Sequence, residues 1–355
     1  MRVVVLGASG NVGTSVLEVL EDDPKVTSVV GLCRRVPPDW RPSKVEWVGV
    51  DVAEDPLEPV FDGADAVVNL AWLFQPTHDE LVTWRNNVLG GIRVFDAAAA
   101  TGVPALIHAS SVGAYAPGRD DVPVDESWPT DALPTAAYGR EKSYLERYLD
   151  AFEQRHPTVR VVRLRPGFTF KRSTAAQQRR LFGGPFVPGS LVRPRLIPIV
   201  PDLPGLRFQA LHSLDAAEAY RLAVVGDVRG PFNVAADPVV DAAALGRLFD
   251  ARPVKLPLPA VRALVRGAWR AHLIPASPTL LDLFLSLPVM DVTRAHVELG
   301  WTPRHTSLEA LEAFLDGLRS GTGGATPPLD PHAGGRLRGK ELRTGVGAKA
   351  DVTDP

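Results

Sequence analysis

Cysteine is nearly absent from the chain: Cys33 is the only one among 355 residues. A single thiol cannot form an internal disulfide, and because the eight histidines show no ligand spacing with it, we expect no metal site. Net charge is small as well, since 39 Lys and Arg residues face 41 Asp and Glu residues, for a formal charge of −2. No basic surface is therefore predicted, and we expect neither nucleic acid nor an anionic membrane as a partner.

Long apolar runs are also missing. No stretch approaches the roughly 18 uncharged apolar residues of a membrane span. The N-terminal segment MRVVVLGASG is apolar but short, and it runs directly into glycine, so it predicts a strand rather than a secretory signal. We expect a cytoplasmic protein.

Apolar segments of strand length alternate with segments of helical periodicity through the first half of the chain. Near-continuous apolar strands between amphipathic helices are typical of a parallel sheet covered on both faces. The sequence therefore predicts an α/β fold with a doubly wound parallel sheet. The predicted strands are 2–7, 26–32, 45–51, 64–71, 104–111 and 158–166, and the predicted helices are 11–20, 79–101 and 138–154.

The segment GASGNVG places Gly7, Gly10 and Gly13 between the first predicted strand and the first predicted helix. In that context glycines allow a tight turn, a close approach of the backbone to a pyrophosphate, and close packing of helix on strand. The N-terminus of the helix then offers free N–H groups to phosphates. A tight turn rich in small residues is the alternative. We predict a dinucleotide-binding loop that also includes Ser9, Asn11 and Val12.

The segment YGREK carries Tyr138 and Lys142 four positions apart within a predicted helix. On a helix this spacing places both side chains on one face, so an ammonium group would lie beside a phenol. Chance also produces the spacing, and a half-buried aromatic residue on a core helix is the alternative interpretation. The pair indicates catalysis only together with other matching segments.

Further segments follow in the order found in a known family. The Gly-x-x-Gly-x-x-Gly spacing of 7–13 and the pair in 138–142 resemble the extended short-chain dehydrogenase/reductase family, which includes the NAD-dependent epimerases and dehydratases. The resemblance extends from residue 1 to about residue 318. The other matching segments are VDV (50–52), NLA (69–71), NNVLGG (86–91), HASSVGAY (108–115), RPGF (165–168) and ELGWTP (298–303).

The resemblance implies a set of catalytic and cofactor-binding residues. Of Ser110 and Ser111 it selects Ser111, because the family's active serine lies four residues before a loop tyrosine, here Tyr115. It gives Asn87 an organising role and makes Lys142 a ligand of the nicotinamide ribose. Simple turn residues at a strand end are the alternative for the serines. The further implied cofactor contacts are Asp51, Val52, Leu70, Ala71, Tyr138, Pro166 and Phe168.

The implied chemistry is hydride transfer assisted by a tyrosine. Reduction of a carbonyl needs a proton as negative charge develops on the oxygen, and oxidation needs a base. Because a free tyrosine has a pKa of about 10, we expect the ammonium group of Lys142 to lower the pKa of Tyr138. The hydroxyl of Ser111 would hydrogen-bond the substrate oxygen.

The segment GLCRRVP (31–37), at the end of the second predicted strand, indicates the preferred cofactor. An NAD-selective version of this fold usually places Asp or Glu there, about 20 residues after the glycine loop, to bind the ribose 2′-hydroxyl. Here Arg34 and Arg35 follow Gly13 by 21 and 22 residues, with no carboxylate before Asp39. A guanidinium can hold a 2′-phosphate, so we predict NADP(H) over NAD(H). Solvated surface arginines are the alternative.

The predicted domain organisation follows from these assignments. Residues 1–169 would form a Rossmann-type dinucleotide-binding domain, to which 208–237 returns. Residues 170–207 and 238–320 would form a smaller substrate-binding subdomain. The polar segment GTGGATPPLDPHAGG opens a tail, 321–355, that is predicted to be disordered.

Three functions fit the sequence. The leading one is an NADP(H)-dependent oxidoreductase acting on a small carbonyl or alcohol substrate. The second is a nucleotide-sugar epimerase or dehydratase, and the third is a dinucleotide-binding regulator without chemistry. Because such regulators usually lack the tyrosine or the lysine, the third is disfavoured. Oligomeric state stays open, although a homodimer through the predicted helices 79–101 and 138–154 would be typical of the family.

One departure from the family pattern separates the first two functions. Sugar-nucleotide epimerases of the family typically carry an arginine four residues before the histidine that matches His212, where it meets the substrate diphosphate. This chain has Phe208 there. The departure counts against a nucleotide-sugar substrate, although Arg207, Arg193 or Arg195 could replace that arginine.

Overall fold

A computed structural model describes residues 1–118, 122–184 and 196–331. Within these residues the strands are β1 (Arg2–Leu6), β2 (Ser28–Cys33), β3 (Val45–Gly49), β4 (Ala66–Asn69), β5 (Ala105–Ala109), β6 (Arg160–Pro166), β7 (Phe168–Phe170), β8 (Ile199–Asp202), β9 (Arg207–Phe208), β10 (Ala210–His212), β11 (Gly230–Val234), β12 (Val240–Asp241) and β13 (Arg252–Lys255). The α-helices are α1 (Asn11–Asp22), α2 (Glu58–Phe61), α3 (Glu80–Trp84), α4 (Gly90–Ala100), α5 (Ala137–Arg155), α6 (Ala175–Gln178), α7 (Ser213–Val225), α8 (Ala242–Phe249), α9 (Leu258–Arg270), α10 (Pro278–Phe284), α11 (Thr293–Val297) and α12 (Ser307–Ser320). None of the helices in this described part combines the length and apolar character that crossing a bilayer requires.

The main sheet of the described residues has seven strands in the order β11-β6-β5-β4-β1-β2-β3, and all of its pairings are parallel. From β1 the chain winds outward through β2 and β3, then crosses back to β4 and winds the other way. The predicted doubly wound parallel sheet is therefore confirmed. In such sheets the reversal of winding, here between β1 and β4, opens a crevice at the carboxyl ends of the strands.

Strand β1 illustrates that helices cover both faces of the sheet. Val3 and Val5 are fully buried in the cluster that contains residues of α1 and α7. Val4 and Leu6 are fully buried in the opposite cluster, which contains residues of α4 and α5. Because successive residues of a strand face opposite sides, a strand between two helical layers must be apolar throughout.

The helix predicted over 79–101 is interrupted. It consists of α3, a π-helical turn at Arg85–Leu89, and α4. A π-helical turn accommodates one extra residue and often lies at a functional site. Asn87, which the resemblance singles out, lies within this turn.

The C-terminal half adds small sheets beside the main one. Strand β7 pairs with β10 in parallel, β9 with β12 in antiparallel, and β8 with β13 in parallel. Helix α12 begins with a capping box in which Thr306 and Glu309 exchange side-chain and backbone hydrogen bonds. Phe182, which follows α6, and Leu280 on α10 line a pocket together with Tyr138.

The tail predicted to be disordered from residue 321 begins with a packed segment. The hydroxyl of Thr326 donates to the carbonyl of Ser9 at 2.7 Å, and the side chain of Leu329 is buried. The prediction is therefore wrong for 321–331, because a compact turn buries one leucine and one threonine within an otherwise polar stretch. The remainder of the predicted tail, 332–355, lies outside the described residues.

Candidate active site

The glycine loop joins β1 to α1 at the carboxyl edge of the sheet. Gly7 has a φ of 74°, and a Cβ there would lie 2.8 Å from the carbonyl carbon of Leu70. A Cβ at Gly13 would collide with the carbonyl oxygen of Gly7. Both positions therefore require glycine, one for its backbone conformation and both for close packing.

The start of α1 fits an anionic group. Gly10 is the N-cap residue, no side chain caps the first turn, and the first turn contains no acidic residue. Helix N-termini with uncapped N–H groups favour phosphate through hydrogen bonds and the helix dipole. Asn11 uses its side chain elsewhere: its amide donates to the carbonyl of Thr169 and its oxygen accepts the hydroxyl of Ser213. The loop therefore fits the pyrophosphate of a dinucleotide, with backbone groups as the donors.

The other predicted cofactor residues follow the ends of neighbouring strands. Arg34 and Arg35 come directly after β2 and are exposed, and in the described part of the chain neither guanidinium has a hydrogen-bond or ion-pair partner. The carbonyl of Leu32, near the end of β2, accepts the N–H groups of Gly7 and Ala8, so the arginines adjoin the glycine loop. The remaining predicted contacts are Asp51 and Val52 after β3, Leu70 and Ala71 after β4, Pro166 at the end of β6, and Phe168 at the start of β7.

The two serines after β5 have different partners. The hydroxyl of Ser110 donates to the buried carboxylate of Glu146 at 2.5 Å. The oxygen of Ser111 accepts the N–H of Gly113 at 3.0 Å, and the ring of Tyr138 packs against the same glycine. The hydroxyl of Ser110 is thereby bonded within the core, while Ser111 lies beside the tyrosine that the resemblance makes catalytic.

Tyr138 lies in the first turn of α5 and packs closely on the loop after β5. A Cβ at Gly113 would lie 2.6 Å from Cε1 of Tyr138, so the ring needs a glycine beneath it. Burial raises the pKa of Tyr138 to about 12; the hydrogen bond from Ser111 opposes this change and the charge of Glu141 adds to it. The phenol is therefore protonated at neutral pH.

The expected lowering of the pKa of Tyr138 by Lys142 is not observed. The ammonium nitrogen of Lys142 donates to the carbonyl of Ala109 at 2.7 Å and lies 3.5 Å from the centroid of the Trp72 indole. It is 6.0 Å from the ring centroid of Tyr138. Burial also lowers the pKa of Lys142 itself to about 7, with the charges of Glu141 and Glu146 opposing the change.

Asn87 ties the loop after β4 to α5. Its side-chain oxygen accepts the N–H of Leu73 at 2.7 Å, and its amide donates to the carbonyl of Leu73 at 2.9 Å. The same amide donates to Glu141 at 2.7 Å, and Glu141 also accepts the hydroxyl of Thr83 at 2.6 Å. The organising role that the resemblance implies for Asn87 thus has a clear geometric basis.

Several residues beside the site were not predicted from the sequence. Glu141 is buried, although a glutamate within YGREK is indistinguishable in sequence from a surface charge. Phe74 stacks on Tyr138 with ring centroids 5.4 Å apart, and nothing in its loop signals this. Trp72 follows the fourth strand. From the sequence alone, it could either line the pocket or simply pack.

Lys171 is a buried cation next to the first turns of α1. Its ammonium group donates to the hydroxyls of Thr14 and Ser15 at 2.7 and 2.8 Å. Burial lowers its pKa to about 8, and the charge of Glu18 opposes the change. Its sequence context, FTFK (168–171), does not distinguish it from a surface lysine.

Comparisons with known proteins bear on the family. Residues 3–178 match the family model described as the NAD dependent epimerase/dehydratase family. An uncharacterised protein of Mycobacterium tuberculosis (strain ATCC 25618 / H37Rv) is 26% identical over 350 residues, which cover 96% of this chain and 88% of that protein. The 4-hydroxy-2-methyl-3-oxo-4-farnesyl-3,4-dihydroquinoline-1-oxide ketoreductase of Stigmatella aurantiaca is 26% identical over 348 residues, covering 91% of this chain and 98% of that enzyme.

A solved structure supports the fold. The UDP-glucose 4-epimerase of Thermus thermophilus, in complex with NAD, is similar with a TM-score of 0.66 at 21% identity, covering 90% of this chain and 99% of that one. The glycine loop, Ser111, Tyr138 and Lys142 all lie within the matched residues 3–178. Residues 3–178 therefore form a domain that matches the NAD dependent epimerase/dehydratase family.

Proposed function

We propose that the protein is an NADP(H)-dependent oxidoreductase that transfers hydride to or from a small carbonyl or alcohol substrate, with Tyr138 as the acid and base. The observation that supports this most is that Ser111 and Tyr138 lie together against Gly113, with Tyr138 lining a pocket. A phenol with a pKa of about 12 holds its proton at neutral pH. It therefore carries the proton that carbonyl reduction consumes.

Each residue of the site has a defined task in this proposal. A bound nicotinamide cofactor supplies or accepts the hydride. Tyr138 delivers its proton to the carbonyl oxygen, and Ser111 donates a hydrogen bond to the same oxygen as negative charge develops there. Lys142 would hold the nicotinamide ribose, and Asn87 keeps the loop after β4 in place against α5. The pyrophosphate would bind the N–H groups at the start of α1.

The preference for NADP(H) rests on Arg34 and Arg35. Both guanidinium groups are exposed beside the glycine loop, and among the described residues neither has a partner. They are thus available to a 2′-phosphate, which a pair of arginines would bind through charge-assisted hydrogen bonds. The preference stays a proposal, because the solved relative contains NAD.

A nucleotide-sugar epimerase or dehydratase is the second candidate, favoured by the likeness to UDP-glucose 4-epimerases. Phe208 counts against it. Its ring packs against Phe168 and Phe284, with centroid distances of 5.4 and 5.5 Å, so an aromatic cluster occupies the position of the arginine that meets a substrate diphosphate in that group. A regulator without chemistry is disfavoured, because Tyr138 and Lys142 are both present.

Net cofactor consumption distinguishes these candidates. Purified protein is mixed with NADPH and a panel of aldehydes, ketones and sugar nucleotides, and the absorbance of the reduced nicotinamide is followed. An oxidoreductase oxidises one NADPH per carbonyl reduced. Interconversion of UDP-glucose and UDP-galactose without net cofactor consumption would instead support the epimerase, and cofactor binding with neither reaction would support the regulator.

We also propose that the protein forms a homodimer through α3, α4 and α5. Large apolar side chains on or beside these helices are exposed: Leu81 is 80% exposed and Leu89 is 48% exposed. Tyr144 on α5 is 41% exposed and stacks edge-to-face on Trp84. Sedimentation equilibrium of the wild type and of Leu81→Glu tests this: a dimer that the variant dissociates is expected, and a monomeric wild type would refute it.

A further inference from the structure

The pocket beside Tyr138 has aromatic walls. Phe74 stacks on Tyr138 with an interplanar angle of 11°, and Phe182 meets Phe74 edge-to-face at 5.6 Å. Trp72 meets Tyr138 edge-to-face at 5.5 Å, and Leu280 closes another side. Flat rings at these angles make a slot for another flat or apolar group.

Polar groups of the pocket wall are already bonded within the protein. The amide nitrogen of Gln75 donates to the carbonyl of Leu181 at 2.9 Å, and its oxygen accepts the N–H of Thr77 at 3.0 Å. The hydroxyl of Thr77 donates to the carbonyl of Pro275 at 2.7 Å and accepts the indole N–H of Trp269 at 2.9 Å. A substrate that used these groups would have to break existing hydrogen bonds, so they offer little to a polar substrate.

The charged groups of the wall are acidic. Glu141 is buried and accepts hydrogen bonds from Thr83 and Asn87. Glu80 pairs with Arg140 at 2.7 Å, and Glu80 lines the pocket whereas its partner does not. Among the lining residues that the structure describes, none is a lysine, arginine or histidine. A carboxylate or diphosphate entering here would lose its hydration without gaining a cation.

We propose that this pocket binds the uncharged, ring-bearing end of an aryl or cyclic ketone, or of the matching secondary alcohol, and that it rejects substrates with an anionic group on that ring. The inference rests on the proposed function and specifies its substrate class. The ring lies among Phe74, Phe182 and Trp72, and the carbonyl oxygen meets Tyr138 and Ser111. In the reaction the C=O π bond breaks, the carbon gains a hydride from the reduced nicotinamide, and the oxygen takes the proton of Tyr138. The ketone is reduced to an alcohol while the nicotinamide is oxidised.

Three probes test the inference: acetophenone, 4-acetylbenzoate and UDP-glucose. The first two share one aryl ketone and differ by a carboxylate, so their comparison isolates charge. With NADPH and the full-length wild type, kcat/KM for acetophenone should exceed that for 4-acetylbenzoate by about 100-fold or more, because the anion must be desolvated without a partner. Binding of each probe to the protein with NADP⁺ present, measured by calorimetry, should show the same order.

A positive charge placed in the pocket wall should weaken the selectivity against the anionic ketone. Thr279 lines the pocket and is partly exposed. Thr279→Lys should raise kcat/KM for 4-acetylbenzoate relative to acetophenone by about tenfold or more, since an ammonium group can pair with the carboxylate. Thr279→Gln, which lengthens the side chain without a charge, is the matched control and should keep the wild-type ratio.

The outcomes separate the two proposals. Selective binding of acetophenone without turnover of any carbonyl supports the pocket assignment and overturns the oxidoreductase. Turnover of 4-acetylbenzoate as fast as acetophenone, or conversion of UDP-glucose, overturns the pocket assignment. Absence of both binding and turnover for acetophenone overturns it as well.

Discussion

Glu146 is the buried carboxylate that fixes the strand ends next to the reacting pair. It accepts the hydroxyl of Ser110 and makes two bonds to the guanidinium of Arg165, at 2.8 and 2.9 Å. It also accepts Nη1 of Arg163 at 3.1 Å. Burial alone would raise the pKa of Glu146, but the bonds and charges of Arg165, with the charge of Arg163 and the hydroxyl of Ser110, hold it at about 2.

This shift predicts an acid dependence of stability. Because the pKa of Glu146 in the folded state lies below its ordinary value of 4.5, its stabilising contribution is complete above that pH and is lost as the pH falls towards 2. Glu146→Gln should lower the free energy of unfolding at pH 7 by about 3–5 kcal/mol, because two buried arginines lose their shared partner. Urea unfolding measures this change.

Asp150→Asn is the matched control for that substitution. Asp150 also pairs with Arg163, but its side chain is 61% exposed, so its removal should cost less than about 1 kcal/mol. Equal losses in the two variants would show that burial of Glu146 does not set the energetics.

Arg34 offers a second test at the residue scale. If its guanidinium binds the 2′-phosphate, Arg34→Ala should weaken NADPH affinity by roughly 10- to 100-fold and leave NADH affinity almost unchanged. The loss should shrink at high salt, because the site is exposed. Titrating both cofactors measures this, with Arg266→Ala, an exposed arginine on α9, as the control for lost charge. Tighter binding of NADH than of NADPH to the wild type would refute the preference.

At the scale of the elements, the packed segment after α12 determines how truncation should affect stability. Removing 332–355 should leave the melting temperature unchanged, whereas removing 321–355 also deletes Leu329 and the hydrogen bond from Thr326 to Ser9. The longer deletion should cost about 2–4 kcal/mol, the sum of one buried leucine and one hydrogen bond. Thermal unfolding of both truncations measures the difference. Identical melting temperatures would mean that the segment contributes nothing to stability.

The sequence predicted the elements that depend on local patterns, and it missed those that depend on contacts between distant residues. The parallel strands and α1 follow from apolar runs and from the glycine spacing, which are local signals. The π-helical turn at Arg85–Leu89 was missed, because it depends on Asn87 bonding to Leu73 and Glu141 across the fold. The helix predicted at 138–154 forms as Ala137–Arg155.

At the scale of the whole molecule, the order of the motifs along the sequence predicted which residues form the site. It did not predict the distances between them. The resemblance implied that Ser111, Tyr138 and Lys142 lie together, and the structure places Ser111 and Tyr138 against the same residue, Gly113. It could not predict that Lys142 bonds to Ala109 and lies over Trp72, since that depends on how three elements pack. The apolar character of the pocket likewise arises from segments far apart in the chain, which periodicity alone does not bring together.

The catalytic role of Tyr138 is tested most directly by the turnover number of Tyr138→Phe, measured as NADPH-dependent carbonyl reduction. The change keeps the ring among Trp72 and Phe74 but removes the proton donor, so kcat should fall by about 100-fold or more while the Kd for NADPH stays nearly the same. Tyr144→Phe, an exposed tyrosine on the same helix, should retain wild-type turnover. Near wild-type turnover of Tyr138→Phe would contradict the assignment of Tyr138 as the acid and base.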